Sequence, residues 1–289
     1  MLRYLILIIT IFFLATLLYA QPAEFDYSST VDWSSGEMFI NVETVFAPGT
    51  GSLRIRDSSE DVFKENFFKV FMDSIKKDRY GPLYFNSSST IEEQIQANPR
   101  ILSHVDDIYN NIIKIFSIYS RDMRGMNIQY KLDIFKDIGK YFVTHRQASK
   151  SEKTILWTPS AQYTGVIIYA NGNYPVHGEN RVSSLQPAIF PAIYDERMRK
   201  VLSMEMVNPA FLERWGTVAY FNDPNDPRII ERVGDRPLHT VARRLFGRHN
   251  SDIMIPHADA EKIFFRGQNA NLIAEGRFVI ISSLPSDTP

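Results

Sequence analysis

The spacing of apolar side chains changes several times along this chain, and each change predicts an element. Met38, Ile40, Val42 and Phe46 fall on one face of an alternating run, with Asn41 and Glu43 on the other. This predicts a strand opened by Asp32-Trp33-Ser34-Ser35-Gly36 and closed by Pro48, Gly49 and Gly51. The period then becomes helical at Phe63, Phe67, Val70, Phe71 and Ile75. Asp57, with Glu60 as its capping-box partner, is expected to start that helix, which should end before Gly81-Pro82. A short extended piece at 83–85 leads to a second small helix through Ile95, capped by Ser89 with Glu92 or by Thr90 with Glu93. Asn98-Pro99 restarts a helix whose buried stripe is Ile101, Leu102, Val105, Ile108, Tyr109 and Ile112. Residues 114–120 and 127–135 alternate with period two and predict a hairpin with Gly125 as the turn residue. The first half therefore reads β, α, α, β, β, after a polar lead-in.

The polar stretch 144–160, closing on Thr158-Pro159-Ser160, is the expected boundary. Beyond it, 165–170 is a continuous apolar run suited to a strand buried on both faces. A loop rich in Asn, Gly and Pro covers 171–180. Strands are expected at 188–194 and 198–204, joined through Asp195-Glu196, with Pro191 marking an edge or bulge. Asn208-Pro209 predicts a helix through Trp215 that Gly216 stops. Further strands are expected at 218–221, 238–246 and 252–255, then a helix opened by Pro256 and carrying Ala260, Ile263 and Phe264, and a last strand at 277–281. The sum is an α+β fold of two small modules, residues 21–145 and 161–289, joined by a linker at 146–160. Each module is expected to be a mixed or antiparallel sheet packed with two or more helices.

The chain begins with Arg3 and an apolar run over 4–20, broken only by Thr10 and Thr16, before a cleavage-type Leu18-Tyr19-Ala20. This composition is that of a secretory signal peptide over residues 1–20, and a periplasmic location is expected. The alternative is an uncleaved inner-membrane anchor, although such a helix would span about 25 Å against a hydrocarbon core of about 30 Å. Membrane contact is expected only through that segment, because no later apolar run approaches spanning length.

There is no cysteine in the 289 residues, so the fold has no disulfide, no thiolate nucleophile and no lipid-accepting cysteine. Loss of residues 1–20 would take the formal net charge from −1 to about −2, which argues against a nucleic-acid partner.

The order Asp32-Trp33-Ser34-Ser35-Gly36, strand, glycine-containing loop, long helix from Ser58, Ser88-Ser89-Thr90-Ile91-Glu92, then a helix running into a hairpin, resembles the superfamily of small bacterial outer-membrane lipoproteins and flagellar basal-disc proteins. Four C-terminal blocks resemble a second module that accompanies it in periplasmic homologues: Tyr163-Thr164-Gly165-Val166-Ile167-Ile168, Gln186-Pro187-Ala188-Ile189-Phe190-Pro191, Ile193-Tyr194-Asp195-Glu196, and Ser251-Asp252-Ile253-Met254-Ile255 followed by Ala258-Asp259-Ala260. The resemblance implies a non-enzymatic envelope protein that forms oligomeric rings or discs, sometimes around the flagellar motor. It brings no catalytic residues. The chain departs from the lipoprotein members in lacking the lipidated cysteine.

Candidate chemistry is sparse. His177, His239, His249 and His257, with Asp195, Asp252 and Asp259 nearby in sequence, match no compact metal-ligand spacing, and no cofactor is expected. No Gly-x-Ser-x-Gly, His-Glu-x-x-His, phosphate loop or dinucleotide fingerprint occurs. Asp223-Pro224-Asn225-Asp226-Pro227 reads first as a stiff turn and second as a calcium loop.

The candidate interaction residues are Tyr174, Pro175 and His177 in the loop after the buried strand, and the basic cluster Arg243, Arg244 and Arg248. The expected function is that of a non-catalytic periplasmic assembly or scaffold component. Its partners would be other envelope or flagellar-motor proteins and further copies of itself. The alternative is a periplasmic hydrolase or small-ligand-binding protein with a site between the modules, lined by Tyr174, His177 and Asp195.

Overall fold

A computed structural model describes residues 22–150, 160–265 and 269–284. The predicted signal segment, 1–20, lies outside the described residues, as does most of the predicted linker. Among the described residues no helix is long and apolar enough to cross a membrane.

The first module is a four-stranded antiparallel sheet in the order β1 (Glu24–Asp32), β2 (Glu37–Val45), β4 (Gly125–Asp133), β3 (Ile113–Tyr119), with helices on one face. The predicted polar lead-in is in fact strand β1 (Glu24–Asp32), paired with β2 (Glu37–Val45) over nine residues. Its inward positions include Ser29 as well as Val31, both buried, so a hydroxyl hides the alternation. Asp32-Trp33-Ser34-Ser35-Gly36 is accordingly a turn between strands and not the start of one. Asp32 Oδ1 accepts the Ser34 N–H at 2.8 Å, and Gly36 takes φ +72°, a left-handed conformation that glycine adopts without steric cost.

Helix α1 (Ser52–Lys76) begins a turn earlier than Asp57 suggests. Asp57 pairs outward with Arg56, whereas the next residues, Ser58 and Ser59, are buried; Ser59 Oγ lies 2.7 Å from Thr44 Oγ1 of β2. The helix lays Phe63, Phe67, Val70, Phe71 and Ile75 on the sheet, and Phe63 stacks on Tyr130 of β4 at 4.1 Å. Burying five such side chains contributes on the order of 10 kcal/mol before chain entropy is set against it.

Helix α2 (Ile91–Ala97) has the reciprocal capping box of Thr90 and Glu93. The other expected cap, Ser89, is held instead by Asn86 Oδ1. A 3-10 turn, Pro99–His104, leads into α3 (Val105–Asn111).

Strands β3 (Ile113–Tyr119) and β4 (Gly125–Asp133) form the expected hairpin, but Gly125 is not its turn residue. Met123 takes the left-handed conformation, and Gly125 opens β4 pressed against β2, where a Cβ would sit 1.9 Å from the Thr44 carbonyl oxygen. A short π-helical turn, Ile134–Ile138, and a 3-10 turn, Gly139–Phe142, close the module.

The second module holds two four-stranded sheets. One is all parallel, in the order β10 (Ala219–Phe221), β14 (Phe278–Ile281), β5 (Val166–Tyr169), β11 (Leu238–Val241), and the other mixed, in the order β12 (Arg244–Phe246), β13 (Asp252–Ile255), β8 (Ile193–Asp195), β9 (Lys200–Leu202). The apolar run at 165–170 supplies β5 (Val166–Tyr169), placed between β14 (Phe278–Ile281) and β11 (Leu238–Val241).

The single strand expected at 238–246 is two. The chain leaves β11, passes through Ala242 and Arg243, and enters β12 (Arg244–Phe246) of the other sheet. The Ala242 N–H is bonded to Tyr169 O on one side and the Arg243 N–H to Met254 O on the other. The predicted loop 171–180 contributes β6 (Asn173–Pro175), which forms a hairpin with β7 (Val182–Ser184).

Of the strand expected at 188–194, only β8 (Ile193–Asp195) is regular; β9 is Lys200–Leu202, β10 Ala219–Phe221 and β13 Asp252–Ile255. Helices α4 (Pro209–Trp215) and α6 (His257–Phe265) stand where Asn208-Pro209 and Pro256 place them, although the Asn208 side chain makes no cap bond and its Oδ1 accepts the Ala148 N–H instead. Helices α5 (Arg228–Val233) and α7 (Ala270–Ala274) were not anticipated.

The modules share a core: buried side chains of both form one continuous cluster. Ahead of β8, the Ile189 and Phe190 N–H groups bond to Tyr84 O and Phe85 O of the first module at 3.0 and 2.8 Å. The Phe85 and Phe190 rings meet edge to face.

Candidate functional site

Three side-chain clusters have the burial and chemistry to be considered as sites. The first is a seam that joins the modules. Ser87 Oγ donates to Asp252 Oδ2 at 2.6 Å, and Asp252 Oδ1 accepts the Ala192 N–H at 2.8 Å. Burial pushes the Asp252 carboxyl up to about 6, against the opposing pull of those hydrogen bonds and of Lys200. Beside it, Tyr84 stacks on His249 at 4.5 Å, and Arg248 reaches Glu93 of α2 at 3.2 Å. Burial, then the neighbouring Arg248, lowers His249 from its ordinary value.

The second cluster is a knot at the start of α6. Asp195 is fully buried and lies 2.8 Å from His257 Nδ1 and 3.2 Å from Arg199 Nε. Its Oδ1 accepts the Arg197 and Arg199 N–H groups. Burial pushes this carboxyl up, but the bonds from His257, Arg199 and Arg197 outweigh it and hold it below the usual range. The second arm of Arg199 pairs with Glu261. With its acceptor capacity filled, Asp195 ties the β8 turn to α6. Among the described residues, no three His, Asp or Glu side chains are grouped so as to hold a metal ion.

The third cluster is a cleft between the modules, about 260 Å³ in volume. One wall is the β1–β2 turn with Trp33 and Ser34, and the π-helical turn with Phe135. The other is α4, β10 and α5. Phe135 positions both walls, because its ring is clasped between Gly36 and Gly216. A Cβ at Gly36 would lie 2.7 Å from the ring and one at Gly216 2.3 Å from it.

Three arginines line this space. Arg228 is paired with Asp226 at 2.6 Å and reaches across to Ser34 Oγ at 3.3 Å. Arg214 and Arg232 both stand over the Trp215 ring, at 4.4 and 4.5 Å from its centroid. Arg232 is 3% exposed and donates to the carbonyls of Gly276, Trp215 and Gly216. No carboxylate pairs with it among the described residues.

The residues singled out from the sequence occupy other places. Tyr174 and Pro175 lie in β6, and the Tyr174 hydroxyl donates to Asn171 O within its own loop. The His177 N–H donates to Leu245 O, and its ring meets Phe246 edge to face. A bridge between Val176 and Leu245 sets this hairpin beside β12, bringing Tyr174, Pro175 and His177 near Arg244. Arg243, Arg244 and Arg248 are exposed, and Arg248 is engaged by Glu93. Among the described residues no hydrogen bond joins Tyr174, His177 and Asp195, and none of them lines the intermodule cleft. Asp223-Pro224-Asn225-Asp226-Pro227 is a turn whose carboxylates accept local N–H groups and Arg228.

The cleft arginines escaped the sequence reading. Arg228 and Arg232 lie one helical turn apart on α5, and the local sign was available: Asp226-Pro227 opens that helix and Gly234 ends it.

The molecule is thus a two-module α+β protein with a cationic, tryptophan-rimmed cleft at the junction. Residues 24–141 match the family model of the Treponema pallidum Tp0624 N-terminal domain, and residues 165–284 match that of the Tp0624 second domain. The two stand in the chain in that order, and their descriptions name no activity, ligand or partner. No curated protein matches the chain.

Proposed function

We propose that this chain is a non-catalytic component of the bacterial cell envelope, exported to the periplasm. In this reading it acts as an assembly or scaffold protein of an outer-membrane or flagellar-motor structure, docking further copies of itself and other envelope proteins. Support comes from the leader-like N-terminal run and from the resemblance to outer-membrane lipoproteins and basal-disc proteins.

The observation that carries the reading is strand β3. It is the outer strand of its sheet, and Ile113, Ile115, Phe116 and Ile118 are 55%, 44%, 41% and 61% exposed. Such an edge normally carries protective charges or prolines. This one carries only Lys114, and Glu60 holds it at 2.7 Å.

An apolar, unguarded edge is a template for strand addition. Its first occupant in this reading is a second copy. Antiparallel pairing centred on Ser117 sets Phe116 against Ile118 of the other copy on the outer face. It also brings Lys114 near Asp122 in the neighbouring turn.

The test is light scattering on the chain lacking residues 1–20, over a range of concentration, with crosslinking in cells. Self-association is expected to be lost in Phe116→Glu and Ile118→Lys at an unchanged urea midpoint. A strictly monomeric protein that captures no envelope partner would overturn the proposal.

A further inference from the structure

We infer that the cleft between the modules is a binding site for an oxyanion, a carboxylate or phosphate group, on a small ligand whose flat or apolar part rests against Trp33 and Trp215.

Arg232 is buried at the wall of the cleft. A guanidinium has five N–H donors and keeps its proton under all ordinary conditions. Here three donors are satisfied by backbone carbonyls, which leaves two without a protein acceptor among the described residues. The group is buried, and Arg277 and Arg214 add like charge around it, so its charged form is strongly disfavoured by burial and then by those neighbours. Since the proton stays, that disfavour is a demand for negative charge from outside.

Nearby carboxylates do not meet the demand. Asp226 is committed to Arg228. Asp133 accepts the N–H groups of Phe135 and Lys136. Glu231 lies at the exposed rim.

The lining suits recognition. Arg214, Arg228 and Arg232 all border the cleft, and a guanidinium is the side chain whose planar fork matches a carboxylate or phosphate. The cleft, at about 260 Å³, falls just below the usual range of ligand pockets, which limits an occupant to a small molecule. Because Ser34 and Trp33 belong to one module and the arginines to the other, an occupant would touch both. This inference does not depend on the assembly role proposed above, since β3 lies on the opposite edge of the first sheet from β1.

Two of the three tryptophans, Trp33 and Trp215, line the cleft, so the protein reports its own occupancy. Inorganic phosphate, trialanine with a free carboxylate, and trialanine amide are titrated while tryptophan emission and heat are recorded. We expect phosphate or the free peptide to bind with millimolar or tighter affinity, the amide to bind at least tenfold more weakly than the free peptide, and Arg214→Glu to weaken binding at least tenfold. Phosphate binding more tightly than the peptide would assign a phosphorylated ligand, and the reverse order a carboxylate. Arg214 is exposed, so its replacement leaves the fold intact, as an unchanged circular dichroism spectrum and urea midpoint would verify. Silence toward both anions, or binding indifferent to Arg214→Glu, would overturn the inference.

Discussion

Replacing Asp252 by Asn should stabilise this protein at neutral pH and leave it unchanged in acid. The carboxyl is buried at the seam and its pKa is raised from 3.8 to about 6. A folded-state value above the unfolded one means the native protein holds the proton more tightly, so stability falls as pH rises from about 4 to about 6 and stays lower above that. At about 1.4 kcal/mol per unit, the full deficit is ~3 kcal/mol. Asparagine is nearly isosteric and has no charge to desolvate. Its carbonyl can still accept the Ala192 N–H, and its amide can donate to Ser87 Oγ, reversing the present bond.

Urea unfolding of both proteins at pH 4, 6 and 8 measures the effect. The curves should agree to within about 0.5 kcal/mol at pH 4, and the variant should gain between about 1 and 3 kcal/mol at pH 8. If Asp252→Asn were instead destabilised equally at all three values, the hydrogen bonds would outweigh the burial of charge and the reasoning would be wrong.

Gly216→Ala should lose about 2 kcal/mol or more in thermal unfolding and shift tryptophan emission, since the new methyl meets the Phe135 ring at a backbone conformation alanine resists. Thr90→Ala should cost about 1 kcal/mol in urea by opening the capping box at the start of α2.

What was legible in the sequence is what neighbouring residues decide among themselves. The proline start and glycine stop of α4, the Thr90–Glu93 box and the apolar run of β5 all occur where local chemistry places them. Strand β1 was hidden because Ser29 occupies a core-facing position. The course of 238–246 through two sheets depends on hydrogen bonds to Tyr169 and Met254, residues that a local window does not contain. Glycine favours turns, but the role of Gly125 comes from the close approach of β2. The cleft was the least legible part. Trp33 and Arg232 are about 200 positions apart and become neighbours only once Phe135 is seated between two glycines. The histidines and carboxylates that drew attention in the sequence serve mainly to fasten β8 to α6 and one module to the other.

The backbone bonds from Ile189 and Phe190 to Tyr84 and Phe85 bear on how such a chain can be divided. A fragment ending near residue 150 would expose one half of a hydrogen-bonded, aromatic seam to water, and the complementary fragment would expose the other. Exchange of a module with a relative would therefore preserve solubility only if the incoming piece matched both strips of the seam, so the two units are constrained to vary together although each is recognised separately.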